Sequence, residues 1–320
     1  MDEPVASTDL DPQLAALLRD GRLADLPQWH TLSVDEARRL EDEAFSAESG
    51  PSLESVADRR IDGASGEIPV RIYRPETPDD GDAPLPVLVF CHGGGWVLGT
   101  LDSADDVCRS LAARVGAVVV SVDYRLAPEH PFPAAVEDAW ATVEWVHEHT
   151  AGLGVDPDRI GVAGTSAGGN LAAAVALCAR DADVSLAVQV LCYPILDRDF
   201  ETPSYGEHAD APLLSRADMT WFWEQYLSDP DDASDPLAVP FRVDNLAGTA
   251  PAVVATAGHD VLRSEGVTYA ERLQAAGVDV RHCHYPSLAH GFLSLTDEVD
   301  RAETAVAEVA AAVRDVLSAR

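Results

Sequence analysis

At 320 residues the chain is long enough to bury a large core. Its formal net charge of -33, from 55 acidic residues against 22 basic ones, excludes nucleic acid and anionic membrane surfaces as partners. No run approaches the ~18 consecutive apolar residues of a membrane span, and the acidic start MDEPVASTDL has neither the basic nor the apolar stretch of a secretory signal, so a cytoplasmic location is expected.

Every basic residue is arginine; lysine is absent. The acids are spread along the chain instead of gathered in a tail. Such a surface repels itself at low ionic strength and is screened by concentrated salt. The composition therefore predicts the protein of a salt-in halophile, stable in molar salt. The five cysteines (Cys91, Cys108, Cys178, Cys192, Cys283) are scattered and never in C-x-x-C spacing. They read as free thiols, not as disulfides or metal ligands.

Residues 1–55 are acidic and interrupted by Pro4, Pro12, Pro27 and Pro51. Leu14, Leu17 and Leu18 recur at helical spacing, as do Val34, Ala37, Leu40 and Ala44. Two short amphipathic helices here suit a lid over a site. GEIPVRIYRP, within Val56–Pro75, alternates as an antiparallel strand does. A polar linker, Glu76–Ala83, follows.

At Leu85 the pattern changes. LPVLVFC is apolar throughout, as a strand buried on both faces must be. The helical segment Ala104–Val115, the strand Gly116–Tyr124 and the helix Ala134–His149 come next. An apolar run ending at Thr165 then meets the small-residue helix Leu171–Ala179, and Ser185–Tyr193 is again a strand. Asp197–Asn245 breaks the alternation with a long acidic stretch rich in aromatics (Trp221, Phe222, Trp223, Tyr226). Alternation resumes with the strand APAVVATAG, the helix Ser264–Ala276, the strand VDVRHCHY and the helix Val299–Leu317. Strands alternating with helices predict an α/β fold with a mostly parallel sheet covered on both faces.

The chemistry centres on RIGVAGTSAGGNL, Arg159–Leu171. A serine on a sharp strand-to-helix turn takes a crowded backbone conformation, so its neighbours two residues away must lack side chains. Gly164 and Gly168 meet that demand around Ser166. The helix beginning just after it aims backbone N–H groups at developing negative charge. Alone, the motif fits equally a glycine turn whose serine only caps a helix. Partners decide, and they are sought at the carboxyl ends of parallel strands. After one strand comes His92-Gly93-Gly94-Gly95-Trp96, whose glycines let backbone amides approach an oxyanion. After another comes Asp260, next to His259. After the last comes His290-Gly291-Phe292. The order Ser, Asp, His is that of the α/β-hydrolases. His282 and His284 alternate within their strand and read as strand-face residues; Asp197 and Asp199 are the rival acids.

These segments together resemble the hormone-sensitive-lipase-like esterases, the α/β-hydrolases with an HGGG loop. The resemblance runs from about Val56 to the C-terminus through HGGGW (His92–Trp96), DYRLAPEHPFPAAVEDA (Asp123–Ala139), GTSAGGN (Gly164–Asn170), Asp260 with Leu262 and Arg263, and HGF (His290–Phe292). It implies Ser166 as nucleophile, His290 as base and Asp260 as acid. The amides of Gly94, Gly95 and Ala167 would form the oxyanion hole, with Gly93 a further candidate. Residues 1–55 and about 197–245 would cap a catalytic domain spanning 56–320. Thr165 before the serine resembles the GTSAG subgroup. Val261 and Ser264 depart from the Asp-Pro-Leu-Arg-Asp pattern of many members, which implies an acid loop held differently. The expected activity is hydrolysis of short to medium acyl esters, with no metal or cofactor. Its rivals are an amide or carbamate hydrolase with the same triad and a non-catalytic small-molecule receptor. The strand Asp279–Tyr285 is a candidate edge for a homodimer, which the acidic surface opposes unless salt is high.

Overall fold

Alternation of side chains along strands of β-branched residues sets up two cores, one on each face of a sheet. The structure is a computed structural model that describes residues 9–46, 50–77 and 83–319; Pro4 and most of the expected linker, 78–82, lie outside them. The helices α1 (Pro12–Asp20) and α2 (Val34–Phe45) precede a hairpin of β1 (Ser55–Gly63) and β2 (Gly66–Arg74). Then come β3 (Leu85–Cys91), α3 (Asp105–Leu111), β4 (Val118–Val122), α4 (Ala134–Glu148), α5 (Thr150–Leu153), β5 (Val155–Thr165) and α6 (Ala167–Asp181). The chain continues through β6 (Val188–Cys192), α7 (Pro203–Glu207), α8 (Arg216–Tyr226), β7 (Ala252–His259), α9 (Arg263–Ala275), β8 (Val280–Ala289) and α10 (Asp300–Ser318).

The eight strands form one sheet in the order β1-β2-β4-β3-β5-β6-β7-β8. β1 and β2 run antiparallel to each other, and β2 antiparallel to β4; every other neighbouring pair is parallel. This is the expected α/β fold. Val87, Val89 and Cys91 of β3 face one core, with Val143 of α4, Leu171 of α6 and Leu273 of α9. Leu88 and Phe90 face the other, with Leu14 of α1, Val107 of α3 and Val306 of α10.

Three elements differ from the expectation. The single strand expected in Val56–Pro75 is a hairpin. In β1 only Ile61 is buried, so its sequence, SVADRRIDG, carries no apolar alternation to reveal it. The helix expected over Ala104–Val115 is α3 followed by a wider, π-type turn over Ala112–Gly116. Of the two N-terminal helices, α1 sits in the core. Leu14 and Leu17 are buried, Asp11 N–H donates to Ser287 O at 2.8 Å, and Gln13 exchanges hydrogen bonds with Asp300 at the start of α10.

Candidate active site

β5 ends at Thr165 and α6 begins at Ala167, so Ser166 is the whole turn between them. It holds φ 54° and ψ -116°, a region costly for a residue with a side chain. Its flanking peptides are pinned. Ser166 N–H donates to Cys192 O at 2.9 Å, and Ser166 O accepts from Ile195 N–H at 3.1 Å. The flanking glycines are required by close approach. A Cβ on Gly164 would lie 2.1 Å from Gly168 O, and one on Gly168 would lie 1.9 Å from Cys91 O.

His290 follows β8 and Asp260 follows β7, two strand ends on the elbow side of the sheet. His290 Nε2 lies 2.9 Å from Ser166 Oγ, and Nδ1 lies 2.9 Å from Asp260 Oδ2. A carboxylate only accepts, so Nδ1 carries the hydrogen and Nε2 presents its lone pair to the hydroxyl. Asp260 is 1% exposed. Its other oxygen accepts from Leu262 N–H at 2.9 Å, so both are held with Val261 in the loop. Arg263 anchors the same loop by donating to Gly258 O at 2.8 Å and pairing with Glu207.

The loop after β3 brings its glycines to the serine. Gly93, Gly94 and Gly95 line the cavity beside Ser166 and His290. Gly94 (φ 103°) and Gly95 (φ 59°) take conformations that favour glycine, and a Cβ on Gly95 would strike the Phe222 ring at 2.1 Å. Ala167 occupies the first position of α6, where a backbone N–H has no partner within the helix. His92 braces the loop from below. Its Nδ1 donates to Gly93 O at 2.8 Å, and its ring stacks on Tyr124 at 4.2 Å. Burial drops the His92 pKa to about 4, so the ring is neutral.

The other candidates lie apart from this line. His282 and His284 both contact Thr256 Oγ1 at 2.9 Å on the outer strand β8. Asp197 faces Arg242 at 3.5 Å, and Asp199 caps the turn at Glu201. His259 packs against His208, with ring centroids 5.5 Å apart. The five cysteines are free, and Cys91, Cys108 and Cys192 are buried. Among the described residues no group of three or more His, Cys, Asp or Glu is placed to hold a metal ion, and no helix is long and apolar enough to cross a membrane.

A cavity of about 130 Å³ opens over Ser166. Trp29 and Phe45 wall it from the N-terminal segment, and Leu213, Leu214 and Phe222 from the stretch between β6 and β7. Of the four aromatics singled out in that stretch, only Phe222 lines the cavity. Trp223 and Tyr226 pack on Trp96, with centroids 4.6 and 4.1 Å away. Sequence reasoning missed Glu41 and Tyr193. Tyr193 follows β6 directly and meets the His290 ring edge-on at 4.9 Å; its place at a parallel strand's carboxyl end could have flagged it. Glu41 carries no such signal, being one acid among many on an amphipathic helix.

A sheet of this order, with hydroxyl, imidazole and carboxylate in hydrogen-bonded line at the carboxyl ends of parallel strands, is the architecture of the α/β-hydrolases. Residues 88–294 match the α/β-hydrolase fold family, and the chain belongs to it. It is 44% identical over 298 residues to the carboxylic ester hydrolase LipN of Mycobacterium tuberculosis, covering 89% of this chain and 77% of that one. It is 43% identical over 330 aligned positions to the carboxylesterase NlhH of the same organism, covering both in full. The crystallised hyperthermophilic esterase of the archaeon Pyrobaculum calidifontis shares 40% identity at a TM-score of 0.87, over 96% of this chain and 98% of that one. The protein is a carboxylic ester hydrolase.

Proposed function

We propose that the enzyme hydrolyses esters of short to medium acyl chains through Ser166, His290 and Asp260. The observation that carries this reading is the unbroken line from Ser166 Oγ through His290 to Asp260, each link 2.9 Å long. His290 Nε2 takes the serine proton as Oγ attacks the ester carbonyl carbon. Asp260 fixes the ring tautomer and stabilises the imidazolium. The carbonyl oxygen becomes an oxyanion held by the amides of Gly94, Gly95 and Ala167, with Gly93 beside them, and such donors are worth about 3 kcal/mol of barrier each. Collapse expels the alcohol, which takes the proton from His290, and leaves an acyl-serine. Water, deprotonated by the same imidazole, then releases the acid and restores the serine.

The N-terminal segment that follows α1 and the stretch at about 197–245 act as a cap. Trp29, Phe45, Leu213 and Phe222 lining the cavity support this. A space of about 130 Å³ compares with the ~150 Å³ cavity that holds a benzene ring. It suits acyl groups of about two to six carbons. Ser166→Ala is expected to abolish turnover of p-nitrophenyl butyrate and labelling by a fluorophosphonate probe; turnover near wild type would overturn the assignment. Along a series from acetate to decanoate, kcat/KM should peak within the short chains.

A further inference from the structure

Glu41 projects from α2 into the wall of the cavity over Ser166. Trp29, Phe45, Ala104 and Val107 make the neighbouring wall apolar. A carboxyl in such surroundings is costly without a partner. The arginines on its own helix are engaged elsewhere, Arg38 with Glu129 and Arg39 with Glu43. Burial raises the Glu41 pKa to about 7; hydrogen bonds from the Ser103 side chain and the Gly99 amide oppose that rise, and the charge of Asp42 adds to it. One oxygen, Oε2, is buried with no hydrogen-bond partner.

A second orphan belongs to His92, a residue that also lines the cavity. His92 spends its ring hydrogen on Gly93 O, so Nε2 carries a lone pair. That atom too is buried without a partner. Unsatisfied buried polar atoms are rare and destabilising. A purely alkyl ester leaves both as they are. A substrate hydroxyl that reaches Glu41 Oε2 would give that atom a partner.

We propose that Glu41 is a specificity-determining residue, through which the enzyme prefers esters bearing a hydroxyl group to their plain alkyl counterparts. The inference rests on the ester-hydrolase reading of this cavity and adds to it a substrate class. A hydroxyl suits the carboxyl in either state, donating to the ionised form and accepting from the neutral one. An ammonium group suits only the ionised form, and an acidic substrate is repelled by that form.

The test compares kcat/KM within matched pairs, one for each half of the ester. The acyl pair is p-nitrophenyl butyrate and p-nitrophenyl 3-hydroxybutyrate. The alcohol pair is ethyl butyrate and 2-hydroxyethyl butyrate. Wild type, Glu41→Gln and Glu41→Met are each first labelled with a fluorophosphonate to count intact sites. Wild type should favour the hydroxyl ester in at least one pair. Glu41→Met should lower that hydroxyl-to-alkyl ratio roughly tenfold, the worth of one hydrogen bond. Glu41→Gln, whose amide both donates and accepts, should keep most of it. A labelled wild type with no hydroxyl preference in either pair overturns the inference, as does a ratio that Glu41→Met leaves unchanged. A wild type that does not label overturns the reading of the site itself, so the two failures are told apart.

Discussion

Two residues in this fold carry a cost that their surroundings offset in different ways. Ser166 holds a positive φ worth roughly 1–3 kcal/mol of strain, and backbone hydrogen bonds to Cys192 and Ile195 keep it there. Asp106, in the first turn of α3, holds a carboxyl whose pKa is raised to about 7, first by burial and then by Asp105 and Asp297. The Val107 amide and Arg22 only partly oppose this. The folded state therefore keeps the Asp106 proton that the unfolded chain releases near pH 4. Its stabilising share is complete below that pH and is lost as pH rises through about 7. Asp106→Asn escapes the loss and keeps an oxygen for the Val107 amide. The variant should be more stable than wild type at pH 8 by about 2 kcal/mol, half the full linkage value because some solvent reaches the group. The gain should fade toward pH 4 in denaturant titrations, and a difference independent of pH would refute the account. At this scale the sequence singled out Ser166, Asp260 and His290, which the fold brings within hydrogen-bond distance, because they belong to motifs at strand ends. It did not disclose Asp106 or Glu41, whose character comes from burial that no local pattern records.

Where β3, β5 and α6 meet, backbone touches backbone. Gly168 on the first turn of α6 sits so close to the end of β3 that an added Cβ would lie 1.9 Å from Cys91 O. Both partners are main chain within hydrogen-bonded elements, so neither yields cheaply. Gly168→Ala should cost about 3 kcal/mol or more, the scale of overpacking in a rigid core. Gly152 on α5 has nothing within 4 Å of the same added atom. There alanine should be neutral or stabilising by up to ~1 kcal/mol. Equal unfolding midpoints for the two variants would contradict the packing argument. The requirement for small residues around the elbow was legible in G-x-S-x-G, though the atom that enforces it lies on a strand some 75 residues earlier. Buried strands were equally plain from their unbroken Val and Leu runs. β1 was not, since it borrows its regularity from pairing with β2 and buries only Ile61.

The molecule as a whole carries 33 more acids than bases. Some arginines work hard against this: Arg71 bridges Asp58 and Asp102, and Arg125 pairs with Glu137 and Asp138. Even with each of the 22 arginines matched to one of the 55 acids, 33 acids remain without a cation. Their mutual repulsion acts over about 30 Å at 0.01 M salt and about 3 Å at 1 M. Only the folded chain holds them at short range, so the repulsion subtracts from folding stability. We therefore propose that the protein is adapted to a salt-rich interior. The melting temperature should climb as KCl rises from 10 mM into the molar range, and a flat curve would refute this. The catalytic constants provide the control. A neutral ester feels no attraction to a negative surface, so screening should leave kcat/KM nearly constant wherever the chain stays folded. Salt would then rescue activity only in step with the folded fraction, and a large change in kcat/KM at constant fold would place the effect in the cavity instead of on the surface.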